Sequence, residues 1–496
     1  MKRLLTKSKY LMGLQCPGLL WTAINDKEKI PKSDKSAEHK FKTGDLVGVL
    51  ATKCFVDGIS ISVEDFLGNL KETKKLLSKR KPLFEAGFKI GVDDSGNEIF
   101  SRVDVLVPVG KDKWDIVEVK SGTEIKDVNM EDVSFQKYVL EKAGLKIGKC
   151  FLMYINNQYI KNGEIEVSEL FVQMDITEKV VEVEKGIEKR IAEMFRIIGL
   201  KDRPQICLGK YCKDPYECAL KSGCWSILPK GSVMDLYRGG EKSFNLYEQG
   251  IIHIKDIPDG IKLTDAQRIQ RDCAISGGHH IKEKEIRKFL GGLNYPLYYL
   301  DFETINPAIP KFDGMKPYQR IPFQYSLHVQ KEKDGECKHI SFLAEGMNDP
   351  RPKFLQSLKD NLGDEGNIIV YNESFEKGVF RECVEAFQEF KEWGEGILLR
   401  VKDLLIPFRS FCYYHPDQCG SASIKKVLPT LTDLSYAEME IGNGGDASVE
   451  YERVTYDPSF SEEDKKKVRD ALEKYCELDT MAEVEIVEAL KKVVNE

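Results

Sequence analysis

The chain has 496 residues, 42% of them hydrophobic and 31% charged, with a formal net charge of −7. That balance fits a globular protein of two to four domains and excludes a uniformly basic surface, so any contact with nucleic acid must come from local patches. Thirteen cysteines without a secretory leader predict metal or cluster ligation in a reducing compartment, the cytoplasm, and not a disulfide scaffold. No apolar run is long enough to span a bilayer.

Taken in order, residues 1–50 read as helical, with Cys16 early. Residues 84–120 read as a β-meander. Within it Ile99–Val107 carries Asp104, a turn follows at Gly110–Lys113, and Trp114–Lys120 is a strand. Glu118 and Lys120 are two apart, so a strand points them to one face. Two carboxylates can hold a divalent cation, while lysine positions water and stabilises developing charge. A helix opening at Asp132 adds Gln136. Val180, Val183, Ile187, Ile191, Met194 and Ile198 recur at helical spacing and predict one long amphipathic helix over 176–198. Cys212, Cys218 and Cys224 follow, with five residues between neighbours. Together with Cys16 they can supply four thiolates, and Cys207 is a fifth candidate. Such a set suits a cluster or a zinc ion.

Asp104, the Glu118-x-Lys120 pair, Gln136 and the one-plus-three cysteine pattern resemble the iron–sulfur RecB-like nucleases of the PD-(D/E)XK class, the AddAB and CRISPR-adaptation type. The resemblance covers residues 1–225. It implies a restriction-endonuclease-like fold, with Asp104 and Glu118 as ligands of Mg2+ or Mn2+ and with Lys120 and Gln136 as catalytic partners. It also implies a 4Fe–4S cluster on Cys16, Cys212, Cys218 and Cys224. The histidine that such enzymes often carry in an early helix has no good match here.

Residues 226–290 read as a helical linker. Leu246–Pro258 resembles a helix–hairpin–helix element, whose turn would offer backbone N–H groups to a phosphate; a plain helical connector fits as well. His279 and His280 read as exposed.

Leu297–Glu303 is an apolar, aromatic stretch of strand character. It carries Asp301 and Glu303 on one face. Phe323–Val329 and the segment from His339 to Leu343 read as further strands. Ile368–Tyr371 reads as a strand running into a helix with Glu376 in its first turn, and Glu373 competes for the same role. Ser461-Glu462-Glu463-Asp464 opens a helix with a capping-box pattern. On that helix Tyr475 and Asp479 are four apart, hence neighbours. Lys425 and Lys426 meet either phosphate or solvent.

This order resembles the DEDD-type 3′–5′ exonucleases of the RNase H-like fold, in the variant with tyrosine in the third motif. The resemblance covers roughly 291–490, within a domain of 291–496. It implies that Asp301, Glu303, Glu376 and Asp479 hold metal and that Tyr475 orients the attacking water. That class usually has aspartate after phenylalanine, where this chain has Phe375-Glu376.

The two halves in this order resemble a bacterial family of uncharacterised RecB-like nucleases. The expectation is an α/β protein, a PD-(D/E)XK domain followed by an RNase H-like one. It would be a metal-dependent nuclease acting on nucleic acid, DNA before RNA, at two phosphodiester-hydrolysing sites. The reading from another class is a nucleic-acid-binding or regulatory protein in which one or both sites are degenerate.

Overall fold

Alternating apolar residues build a seven-stranded sheet in the first half of this computed structural model, which describes residues 3–437 and 439–495. Its strands are β1 (Leu4–Thr6), β2 (Ile59–Ser60), β3 (Leu83–Gly91), β4 (Glu98–Val109), β5 (Lys113–Lys120), β6 (Lys146–Ile155) and β7 (Phe171–Asp175). They lie in the order β2-β3-β4-β5-β6-β7, with β1 parallel to β4. β3, β4 and β5 form an antiparallel meander. β5 and β6 are parallel, so the chain must cross over between them. The helix Asp127–Lys142 makes that crossover.

Two helices differ from their expected limits. The crossover helix begins at Asp127, not Asp132, because the Asn129 side chain accepts the Lys126 N–H at 2.7 Å and caps it. The single helix expected over 176–198 is two, Thr177–Glu184 and Ile187–Ile198. They break at Gly186, whose φ of +80° is left-handed. The second helix buries Ile187, Ile191, Met194 and Ile198 against the first core, where Tyr10 stacks on Phe135 at 4.7 Å.

The chain is mixed α/β and divides into two units, residues 1–227 with 308–318, and 228–307 with 319–496. The second unit includes the stretch expected as a linker. There, Val233, Leu236, Leu246, Ile254, Ile257 and Leu263 form a small core of their own. His280 is half-buried, not exposed, in a short strand β8 (His280–Ile281).

The main sheet of the second unit contains β9 (Leu297–Ile305), β10 (Ile321–Gln330), β11 (Cys337–Leu343), β12 (Asn367–Val370) and β13 (Val401–Asp403). Their order is β11-β10-β9-β12-β13. β9, β10 and β11 are antiparallel neighbours, whereas β9, β12 and β13 are parallel. β14 (Tyr413–Tyr414) pairs with β8 in a separate ribbon.

Central β9 is covered on both faces, which explains its nearly continuous apolar character. Tyr298, Leu300 and Phe302 pack against Phe354, Leu358, Val379 and Phe380 from helices Arg351–Asn361 and Glu373–Ala386. Leu297 and Tyr299 pack on the other side with Val484, Val487 and Leu490 of helix Glu462–Val493. Strand alternation therefore aims Asp301 and Glu303 towards that long helix.

The start of β12 is held tightly against β9. The Asn367 N–H donates to Asn294 O at 2.9 Å and to Pro296 O at 3.1 Å. Gly366 has φ +83°, and a Cβ there would lie 2.0 Å from the Pro296 carbonyl oxygen. Gly366→Ala is expected to destabilise the second unit by at least about 2 kcal/mol, read from the urea midpoint at unchanged slope.

Candidate functional site

Three elements bring the acidic side chains of the second unit together. β9 supplies Asp301 and Glu303. The helix after β12 supplies Glu376, following a sharp turn at Asn372, whose φ is +95°. Helix Glu462–Val493 supplies the third group. Its N-terminus is fixed by Ser461 Oγ, which accepts the Asp464 N–H at 3.1 Å. Tyr475, Asp479 and Glu483 are successive fours along it and form one stripe.

These side chains line a cavity of about 260 Å³ together with Lys425. One oxygen each from Asp301, Glu303 and Asp479 lies within 4.8 Å of the other two. Among the described residues, no other His, Cys, Asp or Glu side chains gather in this way. These three carboxylates could hold one metal ion. Glu373 pairs with Lys377 at 2.6 Å and does not line the cavity, so Glu376 takes that corner.

Charge in the cavity is strongly one-sided. Five carboxylates face one ammonium, Lys425, whose Nζ donates to Gly442 O at 2.5 Å and lies 3.4 Å from the Tyr475 hydroxyl. Tyr436 donates to Asp479 Oδ1 at 2.6 Å. Burial, then Asp479, pushes Asp301 well above the usual carboxylate range. Burial, then Asp301 and Asp479, does the same to Glu303. Glu376 rises to about 9 through burial and Asp301, and Asp479 to about 6 through burial, restrained by Tyr436 and Lys425. Burial, with Asp479 and Glu303 beside it, raises the Tyr475 phenol far above neutral pH. Oε2 of Glu376 and Oε2 of Glu483 are buried without a hydrogen-bond partner. A buried carboxylate oxygen left so is costly unless protonated or met by a cation.

The first unit gathers a different set. Glu118, Lys120 and Gln136 meet there, and Lys7 and Asp132 join them. Glu118 Oε1 accepts from Lys120 at 2.5 Å and from Lys7 at 2.9 Å, and its Oε2 accepts from Gln136 at 2.6 Å. Lys120 also reaches Asp132 at 2.7 Å. Burial would raise Glu118, as would Asp104, but Lys120 and Lys7 outweigh both and lower it. Asp104 Oδ2 accepts the Val119 N–H at 2.8 Å and joins no tight group of metal-ligating atoms. Asp132 was legible as the residue one helical turn before Gln136. Lys7 was not, since nothing ties it in sequence to Glu118.

Cys16, Cys218 and Cys224 share one apolar pocket with Leu19 and Leu220, and buried Cys212 lies near Cys16 and Cys218. The Leu19 and Gly18 N–H groups face the Cys16 sulfur, and Arg203 donates to Cys224 Sγ at 3.0 Å. No three of these sulfurs lie within 4.8 Å of one another. Four thiolates on zinc, with bonds of about 2.3 Å, would sit roughly 3.8 Å apart. Cys207 is exposed.

Comparison with known proteins places residues 298–423 in a match to a domain of unknown function (DUF2779). That range holds Asp301, Glu303 and Glu376 and ends before Lys425, Tyr475 and Asp479. The chain is 29% identical over 216 residues to the uncharacterized protein MG366 of Mycoplasma genitalium, covering 40% of this chain and 32% of that one. It is 28% identical over 221 residues to the uncharacterized protein UU173 of Ureaplasma parvum, covering 40% and 31%. The chain thus spans about a third of the length of the curated relatives it matches. Among solved structures, that titled the crystal structure of SSO0001 aligns at 13% identity and a TM-score of 0.25, over 46% of this chain and 89% of that one. A score so low establishes no shared fold. Among the described residues, no helix is long and apolar enough to cross a membrane.

The acidic cavity makes stability depend on pH. Without a cation, the folded state binds these protons more tightly than the unfolded chain. Their stabilisation is full below the ordinary carboxylate pKa and is lost as pH rises through the folded values, about 6 for Asp479 and about 9 for Glu376. In EDTA, calorimetry should show the second unit melting at progressively lower temperature between about pH 5 and about pH 9. Glu303→Gln should flatten that fall and raise the melting temperature at alkaline pH by at least about 3 °C.

Proposed function

We propose that the second unit is a divalent-metal-dependent phosphodiesterase acting on a nucleic-acid strand, of the DEDD exonuclease type with an RNase H-like fold. The observation that carries this reading is the enclosed trio Asp301, Glu303 and Asp479, with Asp301 half-buried, Glu376 beside it and one ammonium facing the cavity. An all-oxygen, strongly anionic donor set fits Mg2+ or Mn2+. When bound, such an ion would polarise the phosphodiester and lower the pKa of an attacking water. Lys425, the ammonium at the cavity, would pair with a phosphate oxygen. Burial and the carboxylates beside it push the Tyr475 phenol upward, and its hydroxyl would orient the water by hydrogen bonding.

The same proposal takes the first unit as a RecB-like PD-(D/E)XK module, with Glu118, Lys120, Gln136 and Asp104 as its site. Cys16, Cys212, Cys218 and Cys224 would hold a 4Fe–4S cluster. The N–H groups facing the Cys16 sulfur and the guanidinium at Cys224 support thiolate ligation there. A second reading draws on one observation. Glu118 is already satisfied by two lysines and a glutamine, which favours a first unit that binds nucleic acid without cutting it.

Labelled single-stranded DNA with Mg2+ or Mn2+ separates these outcomes. Asp301→Asn in a Glu118→Gln background should lower cleavage by at least about 100-fold relative to Glu118→Gln alone. If Glu118→Gln alone cleaves as wild type does and Asp301→Asn removes all cleavage, the first unit is a binding module. Binding without metal-dependent cleavage by the wild type would refute the nuclease reading.

The cluster has its own signature. Anaerobically purified protein should be brown, and Cys218→Ser should lose colour and solubility together, because ligation contributes folding free energy. Stoichiometric zinc in a colourless, folded sample would overturn the assignment.

A further inference from the structure

Another cavity of the second unit carries the opposite charge. It encloses about 470 Å³, and small-molecule sites run from about 300 to about 1,000 Å³. Arg238, Lys282 and Arg409 line it from three separate segments. None of the acids around Asp301 reaches it. Asp265 is the one carboxylate in its lining, and that group pairs with Arg268. Among the described residues, neither Arg238 nor Lys282 pairs with a carboxylate, and the Arg238 guanidinium lies 5.3 Å from the centre of the Tyr237 ring. Arg409 meets the buried Asp403 at 3.5 Å through one nitrogen. Positive charge therefore surrounds a hollow with little to balance it.

The backbone that carries these cations is held in place. Two glutamines of helix Asp265–Ser276, Gln267 and Gln270, are 3% and 1% exposed. The Tyr237 N–H donates to Gln270 Oε1 at 2.8 Å, Gln267 Nε2 donates to Tyr237 O at 2.9 Å, and Gln270 Nε2 donates to Asp235 O at 2.7 Å. Next to this clamp Arg238 has φ +47°, a left-handed backbone that a residue with a Cβ seldom adopts. Lys282 is fixed by its own N–H, which donates to Cys412 O at 2.8 Å. Charges fixed in this way need little reorganisation when an anion arrives.

The lining also has an apolar part. Tyr237 and Phe411 meet edge to face at 4.9 Å, and Ala266 and Ile269 lie beside them. A bare inorganic anion would use the charges and leave the rings to water. A ligand with a phosphate at one end and a flat ring at the other uses both. Guanidinium groups suit phosphate through their forked N–H donors, and aromatic and guanidinium planes suit a base. We propose that this cavity binds a nucleoside 5′-phosphate, as a free nucleotide or as the 5′-phosphorylated end of a strand. Arg238, Lys282 and Arg409 take the phosphate, and Tyr237 lies beside the base. The site is separate from the acidic cavity, and its occupancy does not depend on metal there.

The test uses the full chain carrying Glu118→Gln and Asp301→Asn, in EDTA, with dAMP as the probe in calorimetric titration. dAMP should bind at least about tenfold more tightly than inorganic phosphate, deoxyadenosine or glucose 6-phosphate. Arg238→Gln with Lys282→Gln should weaken dAMP binding at least about tenfold without lowering the melting temperature of the ligand-free protein. Arg238→Lys, which keeps the charge and loses the fork, should fall between that variant and the parent. Lys74→Gln with Lys75→Gln, at two exposed lysines of the first unit, should leave binding unchanged. An oligonucleotide that displaces dAMP only when 5′-phosphorylated would support the proposal with a strand end as the source. Displacement by neither form would support it with the free nucleotide. Displacement by both forms alike would mark general polyanion binding and overturn it. Absent dAMP binding, equal binding of any of the three comparison compounds, or unchanged affinity in the Arg238 and Lys282 variant would also overturn it. So would an equal loss in the Lys74 and Lys75 variant.

Discussion

Like charges forced together out of water are the constraint on which the second unit depends. Asp301, Glu303 and Asp479 present oxygens within 4.8 Å of one another, and Lys425 is the one ammonium at the cavity. At an effective dielectric constant near 20, two unit charges about 4 Å apart repel by about 4 kcal/mol. Such contacts are tolerated where the carboxyls are protonated or met by a cation. The elements around the cavity keep the carboxylates close at this cost. A doubly covered central strand, a capped helix and a tight β9–β12 junction leave them little room to move apart.

The first unit solves the same problem internally. Glu118 is as deeply buried, but Lys7 and Lys120 provide its counter-charge and Gln136 its remaining hydrogen bond. Two ammonium groups occupy what would otherwise be an anionic hole. A cation entering there must compete with two amines already in place on one carboxylate, whereas the second unit's cavity offers five carboxylates and one ammonium. Similar acids therefore have opposite titration behaviour, Glu118 shifted down and Glu303 shifted up.

What the sequence disclosed follows from which relations are local. The alternation that puts Asp301 and Glu303 on one face is a property of strand geometry, so it was readable at sight. The four-residue step from Tyr475 to Asp479 was equally readable, and one further step would have reached Glu483. Glu376 could be placed because a strand runs directly into its helix. The break at Gly186 was hidden, since the apolar repeat continues across it on both sides. Lys7 and Tyr436 were hidden for another reason. Each reaches its carboxylate through the tertiary fold, and a lone lysine or tyrosine carries no local pattern to announce it. The stretch 226–290 reads as a linker in sequence because its core residues are scattered among short helices.

The helix Glu462–Val493 has 32 residues, and the stripe Tyr475, Asp479 and Glu483 lies well inside it. At 1.5 Å and about 100° per residue, it acts as a ruler whose angular reading matters more than its length. One residue inserted between Ser461 and Tyr475, with the N-terminal anchor kept, would swing Tyr475, Asp479 and Glu483 about 100° away from β9. Seven inserted residues, close to two full turns, would return the stripe to nearly its original heading about 10 Å further along. Neither change is neutral, but the two fail differently, one in direction and one in height. Length variation in this segment is thus restricted by phase, and a chain that keeps the acids must keep their count from the cap.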